Sequence, residues 1–228
     1  MITNPVNSVT RCASQVKRFF SGLAATIGVL CLTATSAWAA PAASQAQSDA
    51  EINRALIAAA NSKPIQLDKG SHQVKLGGAG VNAGVGSYPS RKGIILVTSD
   101  SFKGLIPTGH AAIIYSTNQV VEALGGGVVR GNNDWYASKT QAYGVSVNST
   151  TMAQDSTAAN WADAQRGKPY NINYLDTGTR SKFYCSQLVW AAFKDNFGID
   201  LNTGAWGAAI HPMELVDTPL TYLVYRKA

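Results

Sequence analysis

The chain has 228 residues, of which 46% are hydrophobic and only 14% are charged. Disordered chains combine low hydrophobicity with high charge, so this composition excludes a largely disordered protein, and the length favours one domain with a sizeable core. Three cysteines and three histidines are too few for a cysteine-rich zinc framework or a disulfide scaffold. The net charge of +6 is typical of a basic protein, but part of this positive charge lies in the first eighteen residues, which are considered separately below.

Residues 1–39 have the pattern of an export signal. The first eighteen positions carry three basic residues and no acid, an uncharged run covers 19–40, and Ala37-Trp38-Ala39 matches the small-x-small motif of signal peptidase sites. The sequence therefore predicts a signal peptide over 1–39 and a periplasmic or secreted mature protein. The alternative is an uncleaved membrane anchor, because the uncharged run is nearly long enough to span a bilayer.

Removal of this segment changes both the charge and the cysteine content. Three basic residues leave with it, so the net charge falls to +3, and Cys12 and Cys31 leave as well. A charge of +3 without a basic stripe argues against a nucleic-acid partner, and we expect no stable membrane span in the mature chain. Its one cysteine, Cys185, needs a functional reason in a compartment where cysteines usually pair. An intermolecular disulfide is one such reason, and the sequence leaves the oligomeric state open.

The first fifty mature residues are predicted to lie outside the catalytic domain. Residues 40–49 are predicted to form a polar, Ala-rich linker, and a helix is expected at 50–61, capped by Ser48 or Asp49. The helix and a following Gly-rich stretch make up an N-terminal extension over 50–92.

The Gly-rich part of the extension has little pattern. Short extended pieces are expected at 64–67 and 73–76, and the stretch 77–90 is typical of a long loop, which can also serve as a lid. His72 lies in this part and is interpreted as a surface residue.

From Gly93 the pattern predicts an α+β fold with a mainly antiparallel sheet packed against helices, because most strands precede the two long helices. The continuous apolar run Gly93–Thr98 indicates a strand that is buried on both faces. The other predicted elements are strands at His110–Tyr115, Gln119–Leu124, Gly144–Val147 and Tyr222–Tyr225, helices at Thr150–Gln165 and Cys185–Asn196, and a helical turn at Asn133–Ser138.

Cys185 is placed at the N-terminus of a helix whose apolar face must pack on the sheet. Four apolar residues share its side of the helix, namely Leu188, Val189, Ala192 and Phe193. Free backbone N–H groups and the helix dipole at that end lower a thiol pKa from about 8.5 toward neutrality, which is what a nucleophile requires. The alternative is an inert buried cysteine that acts as a small hydrophobe.

His110 and Glu122 are the candidate partners of the thiol. A three-residue hairpin loop pairs Ala112 with Glu122, which puts the carboxylate diagonal to His110 on the same face, about 7–8 Å away backbone to backbone. A two-residue loop would move Glu122 to the opposite face, so this prediction depends on the register. His211, shortly after the cysteine helix, is the competing base.

Other known chemistries have no matching motif. The chain contains no H-E-x-x-H zinc site, no G-x-S-x-G elbow and no phosphate-binding Gly loop, so the sequence predicts neither a metal nor a cofactor.

Two segments, TGHAAIIYSTNQVVEALGGGVV and PYNINYLDTGTRSKFYCSQLVWAAF, resemble the circularly permuted branch of the NlpC-type papain-like cysteine hydrolases, the YiiX/YaeF-like group. In that branch a Gly-His strand precedes a Tyr-Cys-Ser-(Glu/Gln)-Leu helix, and Gln187 stands where relatives often have Glu. The resemblance covers 93–216 and implies a permuted papain-like catalytic domain over 93–228.

The same resemblance implies roles for individual residues. Cys185 would be the nucleophile, His110 the base and Glu122 the third polar residue, with Tyr184 beside the site. Gly109, directly before His110, is the other predicted substrate-binding residue, because a glycine there lets a ligand or another backbone come close. The implied reaction is hydrolysis of an amide or ester, and export favours a cell-wall peptide or peptidoglycan fragment. An acyl-lipid substrate, hydrolysed or transferred, is the second enzymatic interpretation. A non-catalytic exported binding module is the third, and it predicts an ordinary pKa for Cys185.

Overall fold

The computed structural model describes residues 40–71, 84–101 and 109–228, and within 40–47 the backbone alone is considered. All of these residues fall in one structural unit, Ala39–Ala228. The predicted signal peptide, His72 and the extended piece expected at 73–76 lie outside the described residues, as does part of the Gly-rich loop. Among the described residues, no helix has the length and apolar character needed to cross a membrane.

Seven strands form one sheet in which all neighbours are antiparallel, as predicted. They are β1 Val85–Gly86, β2 Ile95–Thr98, β3 His110–Ser116, β4 Gln119–Leu124, β5 Gly127–Asn132, β6 Ala142–Val147 and β7 Thr221–Lys227. The order across the sheet is β1-β7-β6-β2-β3-β4-β5. Every residue of β2 is buried, which confirms the prediction of a central strand with two covered faces.

Two strands were not predicted, and β5 is the one that matters for the site. Gly125 and Gly126 form the tight connection from β4 to β5, with Leu124 paired to Gly127. Gly127 has a positive φ of 113°, and a side chain there would overlap the carbonyl of Lys168. The hairpin therefore adds one more strand beside β4.

The β3–β4 hairpin has the predicted pairing in its central part, but its loop differs in length from the prediction. Ala112 pairs with Glu122 as expected, but Ser116 pairs with Gln119, so the loop has two residues instead of three. A bulge between Ile114 and Ser116 accommodates the extra residue and restores the phase of the strand. Glu122 consequently stays on the predicted face, although the predicted loop length is wrong.

In the described part of the chain, five helices accompany the sheet: α1 Ala40–Ser62, α2 Trp135–Ser138, α3 Met152–Asp163, α4 Cys185–Phe197 and α5 Glu214–Asp217. The predicted helices at 150–165 and 185–196 correspond to α3 and α4, whereas α5 was not predicted. α1 begins ten residues before the predicted position, so the proposed linker at 40–49 is helical, and Ser48 and Asp49 are not its N-cap. The Ala-rich composition of 40–49 favours this continuation.

The sheet is covered on both faces. α3 and α4 pack against β3 and β4 on one face, where the larger core cluster contains Val97, Ala111 and Phe193. The opposite face carries a smaller cluster that includes Ala112, Ile114 and Trp135. Residue 110 begins β3 at the end of the sheet where α4 also begins, and that corner holds the candidate site.

Candidate active site

Cys185 is the first residue of α4 and only 7% exposed. The apolar residues that share its side of the helix are buried, and α4 packs on β3 and β4, as the sequence pattern predicted. This packing directs the thiol toward the beginning of β3. Backbone N–H groups of Ala111 and Ser186 donate hydrogen bonds to the sulfur, one from the strand and one from the first turn of the helix.

The surroundings of Cys185 favour its thiolate. Burial opposes ionisation, but the positive charge of His110, a hydrogen bond from its imidazole and the two backbone donors together lower the pKa of Cys185. Cys185 is the one cysteine among the described residues, and it is not part of a disulfide bond. An inert apolar cysteine would show the opposite direction, because burial alone raises the pKa of a thiol.

His110 connects the thiol to a carboxylate. Its Nε2 lies 2.6 Å from Oε2 of Glu122, and its side chain also hydrogen-bonds to Cys185. Since Nε2 is engaged by Glu122, Nδ1 is the ring nitrogen that faces the sulfur. The structure thus brings together the three residues predicted for catalysis.

The imidazole is held in its charged form by its two neighbours. Burial disfavours the imidazolium, but the negative charges and hydrogen bonds of Cys185 and Glu122 raise the pKa of His110 to about 9. At neutral pH His110 is therefore an imidazolium, and its positive charge favours the thiolate form of Cys185.

Gly131 makes room for the carboxylate and was not singled out by the sequence analysis. It lies on β5 opposite Val120, and a Cβ at this position would overlap Oε1 of Glu122. Glu122 can therefore point along the sheet toward His110 because its neighbouring strand has no side chain there. A glycine near the end of an unpredicted strand carried no recognisable signal.

Trp135 is the second residue that the sequence analysis missed. Its indole stacks on the imidazole of His110 with ring centroids 5.5 Å apart and planes at 27°, and it is 3% exposed. Its backbone N–H donates a hydrogen bond of 2.9 Å to the hydroxyl of Tyr88. The helical turn that holds it was predicted, but no spacing rule connects that turn to His110.

Gly109 and Tyr184, the predicted substrate-binding residues, have structural contacts. Gly109 has a positive φ of 66°, and a side chain there would overlap the carbonyl of Thr98, so the close approach is to another strand. The buried hydroxyl of Tyr184 accepts a hydrogen bond from the N–H of Ile210 and donates one to the carbonyl of Tyr174. Burial first, and then the negative charges nearby, raise the pKa of Tyr184 to about 12, so its hydroxyl stays protonated.

His211, the competing base, is held by its own loop. Its Nδ1 accepts a hydrogen bond from the N–H of Met213, and its ring stacks on Trp206 at 4.4 Å. Its backbone N–H donates to Glu214, whose buried carboxylate also accepts from Thr203 and organises this loop. Of these two histidines, His110 is the one that hydrogen-bonds to Cys185 and Glu122.

Within 40–71, 84–101 and 109–228, no three His, Cys, Asp or Glu side chains are arranged to hold a metal ion. The chemistry that the described site can perform directly is nucleophilic attack by a thiolate with proton transfer by an imidazole.

The chain was compared with known families and proteins. A model of the family described as permuted papain-like amidase enzymes, YaeF/YiiX, C92 family, matches residues 93–210, just over half of the chain. The uncharacterized protein YycO of Bacillus subtilis (strain 168) is 29% identical over 149 residues, a match that covers 62% of this chain and 59% of YycO. The chain thus matches less than two thirds of the length of that relative.

Among solved structures, the crystal structure of the metalloprotein YiiX from Escherichia coli O157:H7 is similar, with a TM-score of 0.46 and 16% identity. The similarity covers 59% of this chain and 96% of that one. The family match confirms the predicted resemblance and the permuted papain-like fold.

Proposed function

This chain belongs to the permuted papain-like amidase family, a family of cysteine peptidases and amidases, and we propose that it is an exported thiol hydrolase that cleaves an amide bond. The observation that carries this proposal is the position of His110, whose imidazole hydrogen-bonds to both Cys185 and Glu122. A nucleophile, a base and a group that orients the base are the parts that this chemistry requires.

In the proposed mechanism the thiolate of Cys185 attacks the carbonyl carbon of the amide. The imidazolium of His110 donates its proton to the leaving nitrogen as the C–N bond breaks, which releases the amine and leaves a thioester. His110, now neutral, takes a proton from water as the hydroxide attacks the thioester, and the carboxylic acid and the thiolate are released. The Cys185 N–H at the helix start is the candidate donor to the oxyanion.

Glu122 fixes the orientation of the base. It accepts from Nε2, which leaves Nδ1 directed at the sulfur, and its charge stabilises the imidazolium that carries the proton. The same charge explains why His110 remains a proton donor at neutral pH.

The proposed substrate is a cell-wall peptide or a fragment of peptidoglycan, met outside the cytoplasm. This part of the proposal is supported by the predicted signal sequence, which would carry the protein to that compartment. N-terminal sequencing of the protein from a fractionated host tests the export step, and we expect a mature chain that starts at Ala40 outside the cytoplasm.

The catalytic step is tested by the rate of alkylation of Cys185 against pH, followed in the full chain by mass spectrometry of the peptide that contains it. We expect a thiol that titrates well below 8.5 and a pKa that rises in His110→Ala. Muropeptide hydrolysis should be lost in Cys185→Ala and in His110→Ala. A thiol with an ordinary pKa that is indifferent to His110 would favour a non-catalytic binding module.

A further inference from the structure

A small cavity lies on the face of the sheet opposite α3 and α4, where the residues before Gly93 meet β7. Its volume is about 170 Å³, and Val224 of β7 lines one side of it. At least three strand spacings, about 14 Å, separate β7 from the strand of His110, so the cavity is distinct from the thiol site. Its lining includes the side chains of Gln66, Asp68, Ser87, Tyr88, Ser90 and Arg91.

The wall of the cavity contains an ion cluster that carries no net charge. Arg91 donates hydrogen bonds to both oxygens of Asp68, at 2.7 and 2.9 Å. It also binds the carboxylate of Asp155, which pairs with Lys69 at 3.1 Å. These four groups supply two positive and two negative charges, so we expect the cavity to attract neither anions nor cations.

The donors of Arg91 are used within the protein, whereas Asp68 keeps acceptor capacity. The five N–H groups of the guanidinium are matched by acceptors on Asp68, Asp155, Ser146 and the carbonyl of Lys92. A carboxylate offers about four lone pairs, and Arg91 occupies two of those on Asp68. The lone pairs that remain can accept from neutral hydroxyl groups of a ligand.

The exposed side of the cavity carries small polar groups. The hydroxyls of Ser87 and Ser90 and the amide of Gln66 form no hydrogen bond with another described residue, and these three residues are exposed. Each hydroxyl can donate and accept, and the amide offers both functions as well. The ring of Tyr88 adds apolar surface, because its hydroxyl already accepts from the Trp135 N–H and donates to a buried amide.

We propose that this cavity binds one neutral sugar ring. The hydroxyls of a sugar match the acceptors of Asp68 and the mixed donors and acceptors of Ser87, Ser90 and Gln66. Its C–H groups pack against the electron-rich face of an aromatic ring, here that of Tyr88. The volume is below the roughly 300–1,000 Å³ of pockets for drug-sized ligands, which limits the occupant to a single ring. The site is separate from the thiol, so this inference goes beyond the proposed hydrolase and does not depend on it.

Other small ligands fit the cavity less well. A phosphate or a carboxylate needs positively charged donors, and those of Arg91 are already used. A metal cation needs uncompensated carboxylates, whereas both carboxylates of the cluster are neutralised by neighbouring cations. An apolar ligand would take the hydroxyls of Ser87 and Ser90 out of water without a hydrogen bond, which is costly.

The test is a titration of the full chain with glucose and with N-acetylglucosamine, followed by saturation-transfer difference NMR. We expect saturable binding with a Kd of about 1 mM, since a single ring makes few contacts. Ser87→Ala with Ser90→Ala should weaken binding about tenfold, because two hydroxyl contacts are removed. The absence of saturable binding of both sugars to the wild-type protein would overturn the proposal.

The matched control is Ser101→Ala with Ser181→Ala, which removes two exposed hydroxyls outside the cavity. This variant should bind both sugars like the wild-type protein. An equal loss in the control, or an unchanged Kd in the cavity variant, contradicts a site at Ser87 and Ser90. Glucuronate and glucosamine should bind no tighter than glucose, and a clear preference for either charged ring would contradict a neutral ligand.

Two further arms identify the source of the sugar and separate the two sites. A β-1,4-linked tetramer of N-acetylglucosamine that binds tighter than the monomer would support a ring within a glycan strand, and equal affinity would support a free sugar. Cys185→Ala should bind like the wild-type protein, and a loss there would place the sugar at the thiol and overturn a separate cavity. Binding is measured without turnover, so it stays informative if the hydrolase proposal fails.

Discussion

The charge of Glu122 favours the protonated form of His110, because one oxygen of its carboxylate lies 2.6 Å from Nε2 of His110. Glu122→Gln keeps the size of the side chain and removes the charge. We expect the pKa of His110 to fall from about 9 toward its ordinary value, and the pKa of Cys185 to rise because a less fully protonated His110 stabilises the thiolate less. The pH range in which thiolate and imidazolium coexist would then narrow from both sides.

Two measurements check this prediction. Alkylation of Cys185 by iodoacetamide against pH reports the thiol, and NMR titration of the imidazole, assigned with His110→Ala, reports the base. A thiol curve that coincides with that of the wild type would show that Glu122 acts through position alone.

Gly131 provides a steric test of the same carboxylate. In Gly131→Ala the new methyl group overlaps Oε1 of Glu122, so the carboxylate must leave its present position against Nε2 of His110. We expect the pH profile of Cys185 alkylation to move to higher pH, with rates up to about tenfold lower at pH values below the thiol pKa, since one pKa unit changes the thiolate fraction there by that factor.

A glycine of the same hairpin is the control for this variant. Gly126 has open space around its Cα, so Gly126→Ala adds the same methyl group without a clash. It should react like the wild-type protein. Equal rates in the two alanine variants would exclude a steric role for Gly131.

At the scale of elements, the single turn of α2 positions an aromatic face against the base. The indole of Trp135 stacks on His110, and the face of an indole attracts a cation such as imidazolium. We expect Trp135→Leu to lower the pKa of His110 by about half a unit, from a cation–π contribution of about 0.5–1 kcal/mol.

Trp135→Phe separates the electronic effect from packing. Phenylalanine retains an aromatic face, so it should restore most of the His110 pKa, which the NMR titration measures. Circular dichroism melts record any loss of folding in parallel. Equal pKa values in the leucine and phenylalanine variants would mean that Trp135 only fills space.

The hairpin of β3 and β4 shows how far sequence patterns reach at this scale. Alternation of side chains predicted both strands and the pairing of Ala112 with Glu122, because one face had to be buried. The compensation between a two-residue loop and a bulge was not predictable, since both loops satisfy the same pattern. The prediction therefore placed the candidate residues together correctly, although the loop length that it assumed was wrong.

Sequence patterns predicted neither β5 nor the contact between Trp135 and His110. β5 has glycine at two of its six positions, Gly127 and Gly131, and its pairing depends on the neighbouring strand more than on its own propensity. The stack of Trp135 on His110 joins residues 25 positions apart through the tertiary fold. Local patterns contain no information about such contacts.

At the scale of the molecule, the residues before Gly93 are joined to the catalytic domain. Leu56 and Ala60 of α1 belong to the same core cluster as α4, and β1 pairs with β7. A change in composition at 92 suggested a separate extension, but the packing of apolar side chains across that boundary is a tertiary feature. Mutations before residue 93 are thus expected to affect the stability of the whole unit.

An ion cluster offers the sharpest test of this coupling. Asp155 of α3 is 1% exposed and accepts from Arg91 at 2.7 Å and from Lys69 at 3.1 Å, while Arg91 also binds Asp68. Asp155→Asn removes the buried negative charge and leaves these cations without full compensation. We expect the free energy of unfolding to fall by about 3 kcal/mol, because breaking one side of a buried ion pair is costly.

The control is Asp195→Asn, which breaks the more exposed pair of Asp195 with Arg180 at 2.6 Å. Water solvates both partners there, so this variant should lose at most about 1 kcal/mol. Urea denaturation followed by tryptophan fluorescence measures both variants in the full chain. A single transition that shifts strongly for Asp155→Asn alone would demonstrate that the segments around Asp68 and Arg91 unfold together with the catalytic helices. Two separate transitions, or equal shifts, would instead mean that the N-terminal residues attach to the domain without stabilising it.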